Sequence, residues 1–90
     1  MGTRAESRKL SELGLAARGG RDVPVTGLAV DSRDVKDGFL FAALPGSRVH
    51  GGEFIQYALR MGAGAILTDR EGARIAADGI AESGVPVVVA

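Results

Sequence analysis

The chain has no cysteine and no tryptophan, and aromatic residues make up 4% of it. Without cysteine there are no disulfides, no thiolate zinc sites and no thiol nucleophile, a composition that suits a reducing cytosol. No apolar run approaches the ~20 residues of a membrane span, and the charged stretch from Met1 to Arg21 does not resemble a signal peptide. Eleven basic residues balance eleven acidic ones, so no global field draws the chain to nucleic acid or to an anionic membrane, and any anion site must be local. The phosphate-binding P-loop, the GxGxxG dinucleotide fingerprint and the HExxH zinc helix are all missing. These absences predict a cytoplasmic protein with no catalytic residue, metal or cofactor of its own, which binds something rather than converting it.

What is present is a small-residue core. Ninety residues with 46% hydrophobic content make one domain over 1–90, of the size that buries roughly two thirds of its unfolded surface. Ala, Val, Leu and Ile are expected to pack around Phe39, Phe41, Phe54 and Tyr57. Fourteen glycines are scattered between the apolar segments and read as turn punctuation.

Leu10, Leu13 and Ala17 recur at helical spacing and predict a short helix, with Ser7 as its cap and Gly19 and Gly20 as its stop. Val23 to Val25, Leu28 to Val30 and Phe39 to Leu44 read as strands. A second helix follows Gly51 and Gly52, with Phe54, Ala58 and Met61 on one face, widened by Ile55 and Leu59, and ends at Gly62. Ala63 to Leu67 and Val85 to Val89 suit buried parallel strands, joined by a weaker helix through Ile75, Ala76 and Ile80 that Gly79 interrupts. The expected fold is α/β, a small mixed sheet of about five strands with helices covering both of its faces. Ala90 follows a hydrophobic strand directly, which reads as a domain excised from a longer chain.

In α/β sheets ligands bind beyond the carboxyl ends of strands. After Val30 come Asp31, Ser32 and Arg33, an acceptor, a hydroxyl and a guanidinium able to grip a phosphate. After Leu44 come Pro45, Gly46, Ser47, Arg48, Val49, His50, Gly51 and Gly52, a glycine-rich lead into a helix whose backbone amides could receive an anion. Each group also has a plainer role: Asp31 and Ser32 are good turn formers, and an arginine on a loop is more often solvated than ligand-bound. His50 has no second histidine or cysteine with which to share a metal.

The run DSR at 31–33, Val35 and Gly38, then LF.A..G from Leu40, G..FI from Gly51 and A...GA.A from Ala58 resembles the N-terminal domain of the Mur ligases. Within them it is most similar to the MurE type, with MurF next. The resemblance implies a domain that holds the uridine nucleotide end of a UDP-MurNAc-dipeptide. The remaining ligase domains would handle ATP, Mg and the incoming amino acid, which MurE-type enzymes add in peptidoglycan synthesis. It implies that Val30 and Ser32 contact the uridine, that Ser47, Arg48 and Val49 form a second wall, and that Arg33 neighbours the phosphates. Two departures are visible: the family usually has Asp where His50 stands, and the three positions after Gly46 vary within it, which implies contacts from Ser47 and Arg48 through backbone rather than side chain. The alternative reading is a noncatalytic module of the same fold that docks a partner protein.

Overall fold

Parallel pairing organises the chain from Gly27 onward. In the computed structural model, which describes residues 7–46 and 50–90, β3 (Gly27–Ala29), β4 (Phe39–Ala43), β5 (Ala65–Thr68) and β6 (Val87–Val89) form a four-stranded sheet in that order. Every neighbouring pair is parallel. Two shorter strands, β1 (Arg8–Lys9) and β2 (Pro24–Val25), pair antiparallel as a separate ribbon. The mixture of strand directions expected from the sequence is thus divided between two sheets.

Register follows from the period-two alternation of the strands. Ala29, Phe41, Ile66 and Val87 align across all four strands and belong to one buried cluster. Leu40 and Ala65, and Leu67 and Val88, align in the same way and belong to the other. Because the strands follow one another in sequence order and parallel connections are right-handed in nearly all folds, the three connections should all cross the same face. The first cluster agrees: Val35 comes from the first connection, Ile55 and Ala58 from the second, Ala76 and Ile80 from the third.

Helices therefore cover one face, not both. The other is closed by the N-terminal segment, whose Leu10, Ala17 and Val25 pack on Leu40, Ala65 and Val88. That segment is not the continuous helix its spacing predicts. A 3-10 turn over Leu10–Leu13 stops at Gly14 in the left-handed conformation, and a second turn covers Arg18–Gly20. Ser7 is not its cap. The Glu12 carboxylate accepts from the Lys9 amide, and Asp22 accepts from both the amide and the hydroxyl of Ser11. These local bonds hold a tight turn in place of a longer helix.

The second helix opens as a 3-10 turn, Gly51–Phe54, before α1 (Ile55–Arg60). The tighter turn takes Phe54 out of line with Ala58, so Ile55 and Ala58 are fully buried while Phe54 and Met61 are exposed. Of the four aromatic residues expected in the core, Phe41 is buried at 1% exposure and Phe39 packs at the edge of its cluster, whereas Phe54 and Tyr57 face outward. The last connection is two helices, α2 (Arg70–Ile75) and α3 (Ala77–Ser83). The break falls at Ala76, and Gly79 is accommodated inside α3. No helix among the described residues is long and apolar enough to cross a membrane.

Candidate functional site

Beyond the carboxyl ends of β3 and β4 the surface opens into a groove of about 900 Å³. The first wall is the turn after β3. Val30 stands 74% exposed on it, and the chain then tightens into a 3-10 turn over Ser32–Asp34 because the Asp31 side chain accepts from the Arg33 amide at 2.9 Å. The same carboxylate grips the Arg33 guanidinium, with Nε at 3.0 Å and Nη2 at 2.6 Å. Those hydrogen bonds, from the side chain first and then the backbone of Arg33, push the Asp31 carboxyl down to about 2. The local charge of Arg33 is largely answered by its neighbour.

The second wall is built from Leu44, Pro45, Gly46 and Gly51. Pro45 and His50 form a β-bridge, and the Gly51 amide donates to the Leu44 carbonyl at 2.8 Å. A Cβ on Gly51 would lie 2.8 Å from both the amide nitrogen and the carbonyl oxygen of Leu44, so the backbone can close this wall only with glycine there. Phe54 and Tyr57 complete the lining from the third side, 45% and 42% exposed.

The glycine-rich lead-in does not offer its first amides to an anion. Gly51 donates to Leu44, Gly52 to the His50 ring at Nδ1, and Glu53 to the His50 carbonyl. The His50 ring thus caps the 3-10 turn that it precedes. Its Nε2 meets Asp69 Oδ1 at 2.7 Å, so both ring nitrogens are engaged and neither is left to take a proton from a serine hydroxyl. No group of three or more His, Cys, Asp or Glu placed to hold a metal occurs among the described residues.

Of the residues singled out in the sequence, Val30, Ser32 and Arg33 come together on the groove, while Ser47, Arg48 and Val49 lie outside the described residues. Phe54 and Tyr57, expected in the core because aromatic residues are few, line the groove instead. The Tyr57 hydroxyl was the available clue, since a buried phenol needs a partner and a surface one does not.

Residues 24–90 match the family model described as "Mur ligase family, catalytic domain". The UDP-N-acetylmuramoyl-L-alanyl-D-glutamate--2,6-diaminopimelate ligase of Streptomyces avermitilis is 50% identical over 74 residues, which are 82% of this chain and 14% of that protein. The enzyme of the same name from Streptomyces coelicolor is 46% identical over 78 residues, 87% of this chain and 14% of its own. The solved MurF ligase from Thermotoga maritima in complex with ADP is 42% identical, with a TM-score of 0.46, over 48% of this chain and 10% of that one. The chain thus spans about one seventh of the length of the two Streptomyces relatives. With two thirds or more of its residues inside the family model, the chain belongs to the Mur ligase family.

Proposed function

We propose that residues 1–90 form the uridine-nucleotide-binding domain of a longer, three-domain MurE-type ligase, which uses ATP to add an amino acid to UDP-N-acetylmuramoyl-L-alanyl-D-glutamate in the cytoplasm. The observation that carries this reading is the open groove beyond β3 and β4, where Val30 and Ser32 share a surface with two exposed aromatic rings. An aliphatic side chain and aromatic faces suit the flat surfaces of a pyrimidine, while a hydroxyl and backbone groups suit its polar edge. The names of the relatives that match most of this chain support the substrate and make diaminopimelate the amino acid of choice. No P-loop occurs in the ninety residues, so ATP and Mg are assigned to the remainder of the ligase, and no catalytic step is assigned to this domain.

Arg33 is a weaker phosphate ligand in this reading than its position alone suggests, because Asp31 already holds its guanidinium. Titration of the 15N-labelled domain with uridine diphosphate tests the proposal. Amides of Val30 to Arg33, Gly46 and Gly51 are expected to shift with a dissociation constant in the millimolar range, since other walls of the cleft belong to the rest of the ligase. Saturating nucleotide with no shift in either loop would overturn it.

A further inference from the structure

Outside the groove lining, His50 engages both of its ring nitrogens. It is 13% exposed; its Nδ1 accepts from the Gly52 amide at 2.7 Å, and its Nε2 lies 2.7 Å from Asp69 Oδ1. That oxygen also accepts from the Gly72 amide at 2.8 Å and so caps α2 directly after β5. Because Nδ1 accepts a hydrogen bond it carries no proton, and the ring proton sits on Nε2, donated to Asp69. Two glycine backbones hold the ring close: a Cβ on Gly72 would come 2.8 Å from its Cε1, and one on Gly52 would come 3.1 Å from its Nδ1.

The His50 backbone belongs to the second wall of the groove through its bridge to Pro45. The residue therefore joins Pro45, which lines the groove, to the helix that follows β5. We propose that His50 and Asp69 are a positioning pair, which sets the wall formed by Leu44, Pro45, Gly46 and Gly51 by tying it to the N-terminus of α2. This rests on the reading of the groove as the nucleotide site, but the pair itself is a property of the ligand-free fold. The tie is the bond from Nε2 to Asp69; the bond from Gly52 to Nδ1 is a helix cap that Asn or Asp could replace.

Two substitutions separate the bonds. His50→Asn places an acceptor where Nδ1 stands and keeps the cap, while losing the reach to Asp69. His50→Gln places an amide nitrogen near the Nε2 position and keeps the tie. In 15N spectra of the ligand-free domain, His50→Asn is expected to displace the amides of Leu44, Gly46 and Gly51, and His50→Gln to leave them near their native positions. In uridine diphosphate titrations His50→Asn should weaken binding about tenfold because the displaced wall no longer meets the nucleotide, and His50→Gln less than about twofold. Asp69→Asn, whose amide oxygen can accept both bonds, serves as the folded control and should resemble the native protein. The pair has no positioning role if His50→Asn binds and resonates like the native chain, or if His50→Gln is as impaired as His50→Asn. Should the native domain take no nucleotide, the reading of the groove falls, while the displaced amides still decide the pair.

Discussion

The hydroxyl of Thr68, fully buried, donates a 2.6 Å hydrogen bond to the carbonyl oxygen of Ala43 on the neighbouring strand. A buried polar side chain on one of the two central strands is tolerated because its one donor is spent on the strand beside it. Ala43 and Thr68 are also the last residues of β4 and β5, so the bond clamps the two strands at the end where the groove opens. Thr68→Val keeps the shape and removes the donor. It should cost roughly 1–2 kcal/mol in denaturant unfolding, and an unchanged midpoint would show the clamp to be dispensable.

Gly72 lies directly over that hydroxyl. A Cβ there would fall 1.9 Å from Thr68 Oγ1, so Gly72→Ala must push α2 away from β5 and should destabilise by about 1–3 kcal/mol. The cost is expected to shrink when Thr68→Ala removes the obstructing hydroxyl. A double-mutant cycle measures this coupling, and strict additivity would place the strain elsewhere.

Asp31 titrates far from its ordinary value. Its folded pKa of about 2 lies below the ordinary 3.8 because Arg33 donates to the carboxylate. The sign follows from linkage: the contribution of the pair is in full above the unfolded value and disappears as pH falls through the folded one. The pair is exposed, with side chains 38% and 81% accessible, so global stability should change little. Carboxyl 13C shifts report it directly, with an Asp31 midpoint near 2 that returns toward 3.8 in Arg33→Ala. A native midpoint at the ordinary value would mean that the pair does not persist in solution.

Phe54 and Tyr57 should matter to the ligand more than to the fold. Phe54→Ala and Tyr57→Ala are each expected to weaken uridine diphosphate roughly three- to tenfold, on the scale of 0.5–1.5 kcal/mol for aromatic contacts. Both side chains are more than two fifths exposed, so unfolding midpoints should stay close to native. Phe41→Ala, by contrast, removes the largest fully buried side chain and should cost about 3–5 kcal/mol. Nucleotide affinity that ignores both outer rings would remove them from the site.

Strand positions were legible because a strand buried on both faces must be a continuous apolar run. Val87 to Val89 and Phe39 to Ala43 have few other ways to satisfy their side chains. The turn that lines the groove was legible for the complementary reason: Asp31, Ser32 and Arg33 are polar and stand immediately after such a run. Helix faces were less so. The spacing that puts Ile55 and Ala58 in the core would serve Phe54 and Tyr57 equally well, and the choice depends on where a 3-10 turn gives way to α1.

Composition and local pattern by themselves determined that the chain is an α/β fold with polar residues directly after its apolar strands, since both follow from short-range alternation and punctuation, whereas the sequence pointed to a mixed sheet and only the structure made all four main strands parallel. Tertiary structure alone decided what covers each face of the sheet. The strand order sends every crossover to one side and leaves the other to Leu10, Ala17 and Val25. It also decided the partners of the polar residues. His50 meets Asp69 nineteen residues away, and Thr68 meets Ala43 across twenty-five. Separations of that size carry no periodic trace in the sequence; they exist only because parallel pairing brings the ends of β4 and β5 side by side.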